Sequence, residues 1–184
     1  TIMPALMEFH RETNLINNIY ICGTSIKHSE QAQNKVNNLK KLIGINLNVH
    51  YFPNKKNKKV DYTEVIKKIK KFTCAIIAVP DSLHYQITKN CLLNGIHTLI
   101  VKPFTTKVKD AKSLIELSKR KNLYGMVEFH KRWDRHNIML KDYYESGKLG
   151  DPLYSIVEYS QRNIVPTKFF KNWVRNSNLI QYLA

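Results

Sequence analysis

The sequence predicts an α/β fold in which parallel strands alternate with helices in a doubly wound sheet. Residues 72–103 combine an apolar run, an amphipathic segment and a second apolar run, which is the pattern of a strand–helix–strand unit. Strand-like and helix-like segments alternate in the same way before and after this unit. The apolar runs are short and rich in branched residues, as expected for strands buried on both faces of a parallel sheet.

The boundaries of the strand–helix–strand unit follow from local signals. Residues 74–79 are the first predicted strand and residues 97–101 are the second. The helix between them is expected to end just before Gly95, because glycine is the preferred C′ residue. Either Asp81 or Ser82 is expected to cap its N-terminus.

Ligands of open parallel sheets bind at the carboxyl ends of the strands, and this unit places four polar residues there. They are Asp81, Ser82, His84 and Lys102. Lys102 lies between a buried strand and Pro103, which favours a functional role over a solvated surface position. For His84, a functional role and an exposed polar position in the first helical turn are equally good interpretations.

The segments before this unit are predicted in order as helix, strand, helix, strand and helix. Residues 2–11 are amphipathic, and residues 19–22 form an apolar strand. Ser29 is expected to cap a helix that ends before Gly44. Asn48–Phe52 is the next strand, and Asp61 is expected to cap the helix after it.

The segments after the unit continue the alternation. Thr106 is expected to cap the helix Val108–Lys121, and residues 124–129 are the last predicted strand of the sheet. A further helix is expected at residues 137–146. The inward-facing side chains of the helix Val108–Lys121 are expected to be Ala111, Leu114, Ile115 and Leu117.

The net charge of +16 is the one extreme feature of the composition, and it raises nucleic-acid binding as a function. The lysines, however, are spread over almost every predicted helix, and only residues 55–59 form a basic run. No helix-turn-helix, zinc-finger or aromatic stacking motif accompanies them. Nucleic-acid binding is therefore kept as an alternative and not as the main interpretation.

The three cysteines, Cys22, Cys74 and Cys91, lie on or near predicted buried elements. We expect them to be reduced core residues of a cytoplasmic protein. The histidines and cysteines lack metal-ligand spacing, so no metal site is predicted. No apolar stretch is long enough to span a membrane.

Two stretches of the strand–helix–strand unit carry a family resemblance. AVPDSLH at residues 78–84 and GIHTLIVKP at residues 95–103 together resemble the motif pair of the glucose-fructose oxidoreductase/inositol dehydrogenase (Gfo/Idh/MocA) family. Its members are NAD(P)-dependent dehydrogenases of sugars, cyclitols and related compounds. Two departures stand out: Asp81 replaces the usual asparagine, and Val101 replaces the usual glutamate.

The resemblance implies a Rossmann-type NAD(P)-binding domain at residues 1–130 and the beginning of an α+β substrate domain at residues 131–184. GMVEFHKRWDR and SGKLGDPLYSIVEY resemble the family's crossing strand and the turn before the first strand of the second domain. The substrate would be a polyol or sugar-like small molecule, and the resemblance leaves a homo-oligomer open. By the same resemblance, Lys102 is catalytic and contacts substrate. The cofactor-binding residues are Val79, Pro80, Asp81, Ser82, His84, Lys102 and Pro103. The cationic Lys131 and Arg132 either hold an anionic substrate, which we favour, or are solvated surface residues.

The cofactor prediction also rests on the loop after the strand at residues 19–22. Folds that bind NAD usually place an acidic residue there to hold the ribose 2′-hydroxyl. This loop has no acid but contains Thr24, Ser25 and Lys27, which suit a 2′-phosphate, so NADP is favoured with NAD as the alternative. An ordinary polar connection between strand and helix is the other interpretation of these residues.

No three of the six glycines form the G-x-G-x-x-G turn that receives the pyrophosphate. We therefore expect the natural protein to continue before residue 1 with a strand and a glycine-rich turn. We also expect it to continue beyond residue 184 with most of the second domain, so the chain alone is expected to be inactive. The alternatives are a degenerate fold that has lost cofactor binding and a non-catalytic NAD(P)-binding regulator.

Overall fold

The computed structural model describes residues 2–69, 73–160, 162–169 and 171. The strands are β1 (Asn18–Cys22), β2 (Asn48–Phe52), β3 (Cys74–Ile77), β4 (His97–Val101) and β5 (Gly125–Glu128). The α-helices are α1 (Ile2–Thr13), α2 (Ile26–Ile43), α3 (Tyr62–Lys68), α4 (His84–Leu93), α5 (Val108–Lys121) and α6 (Arg135–Glu145). Short 3-10 turns cover Asp81–Leu83 and His130–Trp133, and a π-helical turn covers Val165–Phe169.

The chain divides into two compact units, Thr1–Lys70 and Lys71–Ala184. In the first unit, β1 and β2 form a parallel pair that runs from Asn18 opposite Asn48 to Cys22 opposite Phe52. The core of this unit is centred on the buried residues Met7, Val36 and Leu47. The amphipathic stripes of α1 and α2 thus cover the apolar side chains of a small parallel sheet.

The second unit contains a three-stranded parallel sheet in the order β3-β4-β5. Ile100 in the central strand is fully buried, and Leu92 of α4 packs with Leu114 and Leu117 of α5. Strands joined by helices and paired in parallel confirm the predicted α/β class. The bounds of β4 and α5 are those expected from the sequence.

The N-cap of α2 is Ser25 and not the predicted Ser29. The Ser25 hydroxyl oxygen accepts a hydrogen bond from the backbone N–H of His28 at 3.2 Å. The N–H of Gly23 donates to the carbonyl of Phe52 at 2.7 Å and extends the strand pairing past β1. The helix therefore begins directly after a short turn, and Ser29 becomes a buried residue of its first turns.

The predicted side-chain caps of α4 and α5 are also wrong. A 3-10 turn leads into α4, and neither Asp81 nor Ser82 forms a side-chain cap on it. The N-cap of α5 is Lys107, without a side-chain cap, in place of the predicted Thr106. In contrast, Asp61 caps α3 as expected, because its carboxylate accepts from two backbone N–H groups, at 2.9 and 3.2 Å.

Burial departs from the prediction at several positions. Cys91 is buried, whereas Cys22 and Cys74 are exposed and are not core residues. β1, predicted as a buried apolar strand, instead alternates between exposed and half-buried residues. Within the described residues it pairs with β2 alone, so its other edge is open. Ile115, expected to face inward, is 45% exposed, because the neighbouring Leu114 takes the position toward α4.

The segment after β5 contains α6 and then irregular structure at residues 152–160. The first strand of the predicted second domain is therefore absent from these residues, and residues 172–184 lie outside the described part. The boundary at residues 130 and 131 stays a prediction. Within the described ranges, no helix combines the length and apolarity needed to cross a bilayer.

Candidate functional site

The candidate site lies at the carboxyl edge of the three-stranded sheet. Parallel register places Ile77 of β3 opposite Ile100 of β4, and Val101 of β4 opposite Glu128 of β5. The residues that follow these strand ends therefore emerge at one edge, as the sequence predicted. Three charged residues are found there, one from each strand end: Asp81, Lys102 and Glu128.

Lys102 is the centre of this charged group. It is half-buried at the turn after β4, immediately before Pro103. Burial lowers the pKa of its ammonium group, whereas the carboxylates of Asp81 and Glu128 oppose that shift. A partly desolvated lysine with acidic neighbours is the kind of group that binds and protonates an oxygen atom in catalytic sites.

Glu128 is a residue of the candidate site that the sequence analysis did not include. The family's glutamate precedes the lysine in sequence, and Val101 at that position left Lys102 without an expected acidic neighbour. In the structure two carboxylates from other positions, Asp81 and Glu128, act on Lys102 electrostatically. One feature of the sequence could have identified Glu128: it is an acidic residue near the end of the predicted strand at residues 124–129. Neighbouring parallel strands end at the same edge of a sheet, so such a residue is expected near Lys102.

His84 is an interior residue in this structure. Its side chain is 0% exposed and lies at the first residue of α4. Its Nδ1 is 2.7 Å from the carbonyl oxygen of Pro103, and its Nε2 is 2.9 Å from that of Val79. Both ring nitrogens are thus occupied by backbone groups of the strand ends.

The other predicted cofactor-binding residues of this unit surround the same edge. Asp81 is 5% exposed, whereas Ser82 and Pro80 are exposed. The carbonyl of Pro80 accepts a hydrogen bond from the Leu83 N–H at 2.8 Å, which closes the 3-10 turn. Val79 and Pro103 are half-buried beside His84.

Lys131 and Arg132 lie in the 3-10 turn that follows β5, and both are exposed. The Lys131 ammonium is 3.4 Å from the Asp134 carboxylate, and the Arg132 guanidinium lies 4.9 Å from the centre of the Phe129 ring. The two cations are therefore on the side of the sheet where the strands end, each with a partner from its own segment.

The loop predicted to select the cofactor belongs to the first unit. Thr24 contacts the Nδ1 of His28 through its hydroxyl at 3.1 Å, and Ser25 caps α2. Lys27 is exposed in the first turn of this helix, which contains no acidic residue. A helix N-terminus with hydroxyls and a lysine attracts anionic groups such as phosphate.

No group of three or more His, Cys, Asp or Glu side chains in the described ranges is arranged to hold a metal ion. The charged groups around Lys102 are its own ammonium and the carboxylates of Asp81 and Glu128. Such a set can donate a hydrogen bond to a developing oxyanion and exchange a proton with it.

Three comparisons connect this geometry with known proteins. The family profile "Oxidoreductase family, NAD-binding Rossmann fold" (Gfo/Idh/MocA) matches residues 18–129. An uncharacterised oxidoreductase of Schizosaccharomyces pombe is 37% identical over 76 residues, which are 41% of this chain and 21% of the yeast protein. The scyllo-inositol 2-dehydrogenase (NADP(+)) of Bacillus subtilis is 27% identical over 94 residues, 48% of this chain and 26% of that enzyme.

Solved structures agree on the fold. The WlbA dehydrogenase from Bordetella pertussis, crystallised with NADH and UDP-GlcNAcA, superposes with a TM-score of 0.61 at 16% identity, over 79% of this chain and 36% of that protein. An NAD-binding oxidoreductase from Klebsiella pneumoniae also has a TM-score of 0.61, at 15% identity, over 82% of this chain and 35% of that protein. The predicted Rossmann-type fold is thereby confirmed, and the sequence matches span about a quarter or less of the lengths of the two relatives above.

Proposed function

This chain belongs to the Gfo/Idh/MocA oxidoreductase family with its NAD-binding Rossmann fold, and on that premise we propose a hydride-transfer function for the full-length protein. The reaction would move a hydride between a nicotinamide cofactor and a secondary alcohol of a sugar, cyclitol or related small molecule. Support comes from relatives named as scyllo-inositol 2-dehydrogenase and D-xylose 1-dehydrogenase. The protein would work in the cytoplasm as a soluble enzyme.

The observation that carries this proposal is Lys102, half-buried at the carboxyl edge of the sheet, where the carboxylates of Asp81 and Glu128 act on it electrostatically. Hydride removal from a secondary alcohol must be accompanied by loss of the hydroxyl proton. An ammonium group beside that oxygen stabilises the negative charge that develops there. Since burial lowers the pKa of Lys102, its neutral amine forms more readily than that of a solvated lysine, and this amine would accept the hydroxyl proton. In the reverse direction the resulting ammonium would return the proton to the carbonyl oxygen.

The nicotinamide cofactor supplies the redox chemistry, and the protein orients it. In our proposal Asp81, Ser82 and Pro80 of the turn after β3 face the cofactor, and Lys102 contacts both cofactor and substrate. Lys131 and Arg132, in the turn after β5, would hold an anionic substituent of the substrate.

A separate assignment concerns the first unit, where Thr24, Ser25 and Lys27 would hold the 2′-phosphate of NADP. The absence of an acid from the first turn of α2 fits an anionic group there, because a carboxylate would repel it. Two relatives, named as scyllo-inositol 2-dehydrogenase (NADP(+)) and D-xylose 1-dehydrogenase (NADP(+)), support NADP over NAD.

The test uses the full-length protein and two measurements. Titration with NADPH, followed by nicotinamide fluorescence, measures cofactor binding, and a panel of polyols and sugars with NADP measures turnover. We expect Lys102→Met to lower turnover about 10²-fold or more, as expected for loss of one electrostatic or acid–base group, with little effect on NADPH binding. Lys89→Met, a lysine of α4 whose ammonium lies over the Tyr85 ring, is the matched control and should retain turnover.

Other results of these measurements would support one of the alternative functions or refute the role of Lys102. Tight NADPH binding without turnover on any substrate would favour the non-catalytic regulatory alternative. Salt-dependent binding of DNA or RNA without cofactor binding would favour the nucleic-acid alternative. Near-normal turnover of Lys102→Met would refute the assignment of Lys102 as the catalytic residue.

A further inference from the structure

The clearest group that the proposed reaction leaves unused is the His84 imidazole, which the resemblance counted among the cofactor-binding residues. Its side chain is 0% exposed, although it begins a helix at the edge of a sheet. Its nitrogens reach two carbonyl oxygens from segments far apart in sequence, Pro103 at 2.7 Å and Val79 at 2.9 Å. The partners of this buried ring are thus two backbone groups at strand ends.

The chemistry of these contacts constrains the backbone. Carbonyl oxygens act only as hydrogen-bond acceptors, so a neutral ring makes one of the two bonds and a doubly protonated ring makes both. In either state, a bond buried from water resists separation of its partners more strongly than a solvated one. The ring of His84 therefore restrains each carbonyl group to which one of its nitrogens donates a hydrogen bond, and a bond to Pro103 by itself joins the start of α4 to the end of β4.

The positions of the two carbonyls identify the backbone segments that His84 restrains. Val79 follows β3 and precedes Pro80-Asp81, whereas Pro103 directly follows Lys102. One imidazole thus contacts the backbone beside each of the two oppositely charged residues, Asp81 and Lys102. Their side chains interact electrostatically, and this interaction depends on their separation.

We propose that His84 is a positioning residue that bridges the ends of β3 and β4 and thereby sets the place of Lys102 against Asp81. It does not touch the reacting atoms but acts through the backbone of Val79 and Pro103. The inference rests on the proposed function only where it assigns Lys102 to catalysis. The restraint on Lys102 itself can be measured without a substrate.

Three substitutions in the full-length protein separate the two contacts. His84→Asn retains an N–H near the position of Nδ1 and so can still reach Pro103. His84→Gln extends its amide toward the position of Nε2 and so can reach Val79. His84→Phe keeps a ring of similar size with neither donor. Leu92→Ala, on the same helix and 1% exposed, is a matched control that loses stability away from Lys102.

Two readouts report on Lys102 directly. Amide hydrogen exchange of a peptide covering residues 102–106 measures the mobility of the turn. The acetylation rate of Lys102, measured by peptide mass spectrometry relative to Lys89, measures the environment of its amine. We expect both to rise about two- to tenfold in His84→Phe, which is the change that net loss of one hydrogen bond predicts.

The order of the variants is the decisive result. We expect His84→Asn to stay closest to wild type at Lys102, His84→Phe to deviate most, and Leu92→Ala to leave both readouts unchanged. Equal effects of Leu92→Ala and His84→Phe, or no change at Lys102 in any His84 variant, would overturn the proposal. If His84→Phe does not fold, the difference between His84→Asn and His84→Gln decides.

Failure of the proposed function gives a different pattern. Wild-type protein that binds no NADPH and has no dehydrogenase activity would refute the proposed function, while a changed Lys102 environment in His84→Phe would still support the positioning role. In an active protein, the same variant should lower kcat with little change in the Kd for NADPH.

Discussion

Replacing two glycines of the second unit by alanine should change stability in opposite directions. Gly125 opens β5 with no positive φ, and an added Cβ would lie 3.7 Å from the Thr98 hydroxyl and 3.9 Å from the Ser118 Cβ. Both distances are ordinary van der Waals contacts. Gly95, after the end of α4, has a φ of +75°, and an added Cβ would meet no atom within 4 Å. The two sites therefore differ in backbone conformation and not in crowding.

The magnitudes follow from that difference. Alanine restricts the unfolded chain more than glycine and stabilises by about 0.4–1 kcal/mol where the native backbone accepts it, as at Gly125. At Gly95 the left-handed conformation costs an alanine about 1–2 kcal/mol, which outweighs the same unfolded-state gain. We expect Gly95→Ala to be less stable than Gly125→Ala by roughly 1–2 kcal/mol.

Urea denaturation followed by circular dichroism at 222 nm measures this difference. For a chain of this size, 1 kcal/mol corresponds to about 2–4 °C in Tm, so thermal melts provide a second measurement. Gly44→Ala in the first unit, where φ is +74°, repeats the test at another helix end. Equal shifts for Gly95→Ala and Gly125→Ala would refute the argument from backbone conformation.

Three further predictions concern the cofactor loop, a helix cap and the core. Lys27→Ala should weaken NADPH binding by about tenfold or more and leave NADH binding nearly unchanged, because a charged contact to the 2′-phosphate is lost; equal losses in fluorescence titrations with both cofactors would contradict this. Hydrogen bonds from the Thr63 side chain and the Glu64 backbone hold the pKa of Asp61 below its usual range, so its stabilising effect is present above the unfolded pKa and lost as pH falls through the folded one. The stability deficit of Asp61→Ala in urea melts should therefore be largest near neutral pH and vanish in acid, and a constant deficit would contradict this. Leu114→Ala should cost about 2–5 kcal/mol, whereas alanine at the exposed Ile115 should cost far less, and similar denaturation midpoints would contradict the burial described for α5.

Features that depend on neighbouring residues in sequence were predicted well. The bounds of Asn48–Phe52, His97–Val101 and Val108–Lys121 match the structure, because apolar runs and helical periodicity are local signals. Gly44 and Gly95 occupy the left-handed positions after two helices for the same reason. The caps were less predictable, since several residues near a helix start are chemically able to serve.

By itself the sequence determined the alternation of strands and helices, and with it the edge at which Lys102 emerges. Only the tertiary structure decided which groups surround that lysine. Glu128 joins it because β5 pairs with β4 in a register that brings Val101 and Glu128 side by side. His84 is buried because the turns after β3 and β4 close over its ring from both sides. The pairing of Val101 with Glu128 and the contact of His84 with Pro103 join residues about 20 or more positions apart in sequence. Local patterns of hydrophobicity and capping do not specify which strands pair or in which register.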